Sequence, residues 1–138
     1  VAMARRALAE RPTIYAQDTL GWALRQAGRA GQALPHARAA VRLGTRDALL
    51  WYHLAAAEAD LGMTAAARRH LAQAFAISPY LTVRDQPAAL ALAGRLRLPA
   101  PRTPVGDRRR IHRTCNFGKP LACASGIPDR RPGRTSGR

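Results

Sequence analysis

Between Ile14 and Leu81 the chain nearly repeats itself every 34 residues, and that period limits its fold more than any other feature does. Leu20, Ala23, Gly28, Ala33 and Ala40 return as Leu54, Ala57, Gly62, Ala67 and Ala74. The similar pairs Gly21/Ala55, Val41/Phe75 and Leu43/Ile77 keep the same spacing, so the match runs through two successive helical segments. A unit of this size cannot bury its own apolar face, and stability requires that neighbouring units stack. The period therefore points to a scaffold whose role is binding.

The 138 residues suffice for one ordinary domain, but the apolar 47% is largely alanine and aromatic residues make up only 5%. The expected core is shallow and helical, because alanine favours helices and offers little surface to bury. No run of about 18 apolar residues is present to span a bilayer. The opening segment VAMARRALAERP has neither the apolar stretch nor the cleavage site of a signal peptide. A soluble, cytoplasmic chain is expected. Because the first residue is Val and a helix is already under way there, the expectation includes a fragment of a longer protein.

The net charge of +15 is unevenly placed: residues 1–98 carry 13 basic and 6 acidic side chains, whereas residues 99–138 carry 10 and 2. Nearly all the cations are Arg, which beside the abundant Ala reads as the codon bias of a GC-rich, bacterial genome and weakens any inference from charge to partner.

Hydrophobic periodicity and helix stop signals divide the chain as follows. A helix over residues 3–10 ends at Arg11-Pro12, since the residue before proline is pushed out of the helical region. A second, Tyr15 to Ala27, places Leu20, Leu24 and Ala27 on one face and stops at Gly28. A third, Gly31 to Leu43, buries Ala33, Ala37, Ala40 and Val41, with Pro35 near its first turn. The fourth begins after Asp47 as its cap and reaches Leu61, and the fifth, Ala65 to Ile77, starts after Thr64 as its cap. The fifth carries the stripe Ala67, Leu71, Ala74 and Phe75. A last helix, Gln86 to Leu96 with Asp85 as its cap, is expected to bury Leu90, Ala93 and Leu96.

Trp51-x2-Leu54, then Ala67, Ala74 and Pro79, resembles the tetratricopeptide repeat in spacing, and the 34-residue helix-turn-helix unit has that repeat's length. The unit 14–47 matches at Leu20-Gly21, Ala33 and Ala40, but Gln17 stands where the aromatic belongs and Thr45 where the terminal proline belongs. The unit 48–81 departs with Ala55 for glycine, Glu58 for the large aromatic and Leu71 for phenylalanine. The resemblance covers roughly residues 1–97. It implies an all-α fold of antiparallel helix pairs stacked as a short right-handed α-solenoid, over residues 1–98, with helices 1–10 and 86–97 flanking the two repeats. About three repeats are needed for stability, so the flanking helices act as caps or further repeats belong to the whole protein. Trp51 is expected in the core.

The same resemblance places function on the concave face made by the first helix of each pair. Its candidates are Tyr15, Asp18, Thr19, Trp22, Arg25 and Gln26 from the first unit, with Leu49, Tyr52, His53, Ala56 and Asp60 from the second. Trp22 and Tyr52 are candidate anchors for a peptide or partner helix, and equally fit a packing role against the neighbouring helix. The family's carboxylate clamp needs Lys, Asn and Arg. The matching places hold Asp18 with Trp22 and Tyr52 with Ala56, so that partner class is not expected.

No phosphate-binding glycine loop, metalloprotease motif or nucleophile elbow is present, and an enzyme is not expected. His36, His53 and His70 fall on alternating helices and are expected at solvated edges, while the acids are spread singly. Neither a cofactor nor a bound metal is expected.

The Pro-, Gly- and Arg-rich stretch Pro99 to Arg138 buries too little apolar surface to offset its chain entropy, and is expected to be disordered. Within it, His112, Cys115 and Cys123 lack paired metal-ligand spacing, and the two cysteines fit a disulfide or free thiols equally. Arg108, Arg109, Arg110 and Arg113 supply the alternative function: sequence-independent binding of an anionic polymer such as nucleic acid, within a fragment of a regulator. Against that stands the lack of stacking aromatics, with Phe117 alone. The leading expectation is an interaction scaffold that binds a peptide or partner helix, with the partner's identity and the oligomeric state left open.

Overall fold

A computed structural model describes residues 1–101, and these are all-helical. Helices α1 (Ala2–Glu10), α2 (Ile14–Gln26), α3 (Ala30–Val41), α4 (Ala48–Asp60), α5 (Thr64–Ile77) and α6 (Gln86–Arg95) follow one another along the chain. Each of the first five packs on its successor in the sequence, most extensively α2 on α3 and α4 on α5. No described helix is long and apolar enough to cross a membrane.

Small side chains set how closely these helices approach. Ala33, Ala67 and Ala74 have no exposed surface, and Ala40 has almost none, so each pair meets at positions where only a methyl group separates the backbones. At Gly21 the approach is closer still: an added Cβ would lie 3.2 Å from the Ala37 amide nitrogen and 3.3 Å from the Ala33 carbonyl oxygen. The equivalent residue of the second pair is Ala55, fully buried, so α4 and α5 leave room for the methyl that α2 and α3 exclude.

The core is a series of layers along the chain. Ala4, Leu20, Leu24 and Ala33 join α1, α2 and α3; Ala37, Ala40, Val41, Leu50 and Leu54 join α3 to α4. The largest layer groups Tyr52, Leu71, Leu92 and Leu96 with alanines of α4, α5 and α6. Trp51 is half-buried and packs on both the second and third layers, with its indole Nε1 donating to the Thr45 carbonyl at 2.8 Å. Helix α4 is buried on every side, and its composition, ALLWYHLAAAEAD, is correspondingly apolar all round.

Helix ends follow local chemistry. Thr13 caps α2 by accepting the Ala16 N–H, and Asp47 caps α4 by accepting the Leu49 N–H. The expected cap Thr64 does not act so, since Met63 holds the cap position of α5; Asp85 holds that of α6 as expected, but its carboxylate takes the Thr82 hydroxyl and caps no backbone N–H. Pro35 lies in the second turn of α3, not the first, because the helix starts at Ala30. Pro35 and Gly31 are both exposed, so water can bond the carbonyl that the proline leaves without a donor. In α6 the buried face is Ala89, Leu92, Ala93 and Leu96; the expected Leu90 points outward.

Helices α2, α4 and α6 share one stop. Arg29 N–H bonds the Leu24 carbonyl, Met63 the Glu58 carbonyl and Leu98 the Ala93 carbonyl, each bond enclosing a residue of positive φ. That residue is Gly28 (φ 71°), Gly62 (φ 73°) and Arg97 (φ 53°). Only the third carries a Cβ, which costs about 1–2 kcal/mol in the left-handed region. Arg97→Gly is therefore expected to stabilise the domain by about 1 kcal/mol, read as a raised urea midpoint with an unchanged slope.

Candidate functional site

Of the eleven residues expected on the binding face, Thr19, Gln26 and Asp60 are exposed, Leu49 is partly so and Ala56 is buried, which corrects its expected place; the other six divide between two roles. Tyr15 is exposed, and Trp22 and Arg25 are partly so. Asp18, Tyr52 and His53 are buried, at 8%, 2% and 7% exposure, so the expectation that these three present side chains to a partner is corrected. The physical reason is that Asp18 and His53 bond each other where α2 meets α4, while Tyr52 joins the hydrophobic layer of α4, α5 and α6.

That contact is a polar seam. His53 Nδ1 faces both carboxylate oxygens of Asp18, at 2.8 and 2.9 Å. One helical stretch further along, Arg25 Nη2 donates to Asp60 Oδ1 at 3.3 Å and Arg25 Nε lies 2.8 Å from Oδ2. Asp18 and Arg25 are seven apart on α2, as His53 and Asp60 are on α4, so the two bridges rise in parallel with opposite polarity. Between them Trp22 stacks on His53, centroids 3.9 Å apart and planes 18° from parallel, and the Arg25 guanidinium stands 4.8 Å from the Trp22 ring centre. Tyr52 closes the cluster 5.9 Å from Trp22.

Of the histidines expected to be solvated or at edges, His53 is buried, while His36 and His70 are half-buried and each has a hydrogen-bond partner. His70 Nδ1 bonds the Glu58 carboxylate at 2.6 Å, with Glu58 only 1% exposed, and the ring abuts Trp51 at 5.6 Å. His36, at the equivalent place in the first unit, bonds Gln17 at 2.8 Å. Each second helix thus turns a histidine toward the first helix of its own pair. Leu24 occupies in the first unit the place of Glu58 in the second, so only the second pair needs a hydrogen-bond partner for a carboxylate there.

Two open grooves remain. One, about 790 Å³, lies at the N-terminal ends of α2 and α4, between Tyr15, Leu49, Ile77 and Tyr80. The other, about 420 Å³, runs across α2, α4 and α6 and is lined by Trp22, Arg25, Gln26, Ala56, Ala91 and Arg95 among others. Arg25 and Trp22 reach this groove from the seam, while α6 supplies a wall that the sequence reading left out.

Chemically, the Asp18–His53 pair has the polarity of a general-base dyad, but His53 Nε2 is buried without a hydrogen-bond partner and faces no hydroxyl nucleophile. Among the described residues no group of three His, Cys, Asp or Glu side chains is placed to hold a metal ion. Arg108, Arg109, Arg110 and Arg113, together with His112, Cys115 and Cys123, lie outside the described residues, as does the expected disorder of that segment. A scan against protein-family models, and searches of curated proteins and of solved structures, give no match to the chain.

Two outcomes follow from the buried groups. His70→Ala strips the partner from a buried carboxylate and is expected to cost about 3 kcal/mol, whereas Glu58→Leu, which copies Leu24, is expected to be neutral or stabilising by about 1 kcal/mol, both read by urea denaturation. Burial raises the Tyr52 phenol above its ordinary value, an effect opposed by Arg25 and Arg95 and assisted by Asp85 and Asp60. The unfolded chain ionises Tyr52 from about pH 10 while the folded one still holds the proton, so stability present below that pH falls as the pH rises through it. Tyr52→Phe is expected to flatten this alkaline loss, measured as melting temperature against pH from 8 to about 11.

Proposed function

We propose that the helix pairs form a short tetratricopeptide-like array and that the domain is a protein-interaction module, taking a peptide or partner helix in the groove of α2, α4 and α6. The observation that carries this reading is the groove itself: about 420 Å³ of open space with apolar lining from three helices and a few charged groups at its edge. Pockets that bind peptides combine apolar contact with a small number of placed polar groups, and helix-built grooves are a recurring form. Trp22 and Arg25 line the groove, and the seam holds both in fixed orientation, so this wall is pre-organised for a partner. Buried Tyr52, His53 and Asp18 act as the support for these two.

The test avoids the buried members. Ala88 and Ala91 are exposed on α6 and line the groove, so Ala88→Trp with Ala91→Trp fills it without disturbing the core. Peptides selected from a displayed random library against the full chain are expected to lose binding at least about tenfold on this filled variant, at unchanged melting temperature. Selected peptides that bind both proteins equally, or that respond only to Tyr15→Ala in the other groove, would overturn the proposal.

A further inference from the structure

The groove of α2, α4 and α6 offers an incoming group a restricted chemistry. Trp22 is already engaged, stacked on His53 with the Arg25 guanidinium near its ring, and Arg25 is matched by Asp60. Tyr52 is buried. The remaining exposed surface is aliphatic, from Ala88 and Ala91 alongside the buried Ala56 and Leu92, and it lies between two cations, Arg84 and Arg95. Both are exposed, and neither has a carboxylate partner among the described residues. Asp85, which also lines the groove, is bonded to the Thr82 hydroxyl.

Arg84 precedes α6 and Arg95 ends it, so at 1.5 Å per residue their Cα atoms stand roughly 15 Å apart along the helix. An extended peptide covers that span in about four to five residues. Resting on the peptide-binding reading above, we infer that the groove takes a segment of a partner protein in which one aliphatic side chain is flanked on both sides by carboxylates. The aliphatic group fills the alanine-lined floor, and each carboxylate meets one guanidinium in a charge-assisted hydrogen bond. A nucleic acid strand is disfavoured at this site, because base binding needs an aromatic face on which to stack and the stacking of Trp22 is used by His53.

Fluorescence anisotropy on the full chain tests this with the labelled peptide DEALAED, its serine counterpart DEASAED, the basic peptide KKALAKK and an unlabelled single-stranded oligonucleotide as competitor. DEALAED is expected to bind, to weaken at least about tenfold on Arg84→Glu with Arg95→Glu, and to exceed DEASAED by about fivefold or more. The two arginines are exposed, so the charge-reversed protein is expected to keep its helical circular dichroism and melting temperature, which are measured alongside. The inference is overturned if charge reversal leaves the affinity unchanged, if DEASAED binds as tightly as DEALAED, or if the oligonucleotide displaces the peptide in proportion to charge alone. Should KKALAKK or a neutral library peptide bind and lose affinity on the filled variant, the acidic chemistry fails while the peptide groove stands. If no peptide of any charge responds to filling the groove, both fail.

Discussion

The close approach of paired helices depends on the near absence of side chains between them. Ala33, Ala40, Ala67 and Ala74, with Gly21 in the tightest place, let backbones meet at a distance that larger residues would forbid. The remaining packing follows from this. With the helices so close, a few larger residues fill what is left: Leu20 and Leu24 in one layer, Leu50 and Leu54 in the next, Leu71 and Leu92 in the last. A chain with few aromatics can complete a core in this way because it leaves little volume to fill.

Where the pairs meet each other, at α2 and α4, the chain uses charge as well as apolar contact. Asp18 with His53 and Arg25 with Asp60 fix the register of one helix on the other, since sliding by one turn would leave a buried group alone and by two turns would set Asp18 against Asp60. Trp22 lies between the bridges and also packs against the layer of α4, α5 and α6. The rigid part of the groove and the polar part of the fold are thus the same residues. This accounts for why Asp18 and His53, suited to binding by type, are buried in fact.

Much of the architecture was legible in the sequence because repetition supplies each element twice. The boundaries of α2, α4 and α5 differ from expectation by a residue or so, and the glycines that end α2 and α4 were identifiable from their matching places. The outward Leu90 was misread because size was taken to mean burial, while α6 makes its closest contact through Ala89 and Ala93. His53 was misread for a different reason. Its partner lies on another helix, and a carboxylate 35 positions away gives no local signal. One trace was nonetheless present: Asp18 to His53 and Arg25 to Asp60 share a separation one longer than the repeat, each joining a carboxylate to a nitrogen-bearing side chain. The groove was only half legible, since its second wall, α6, lies outside the two matching units.

The layered core also determines how the domain comes apart. Because each layer joins helices adjacent in sequence, most stabilising contacts close short loops, which favours fast folding from a local start. Helix α1 contributes Ala4 and Leu8 to the first layer and little else, whereas α4 is enclosed by neighbours on all sides. Amide exchange should then form a gradient along the chain, with α1 opening at low free energy and α4 only with the whole. Trp51, shared by two layers, is the residue through which opening in one is felt in the next.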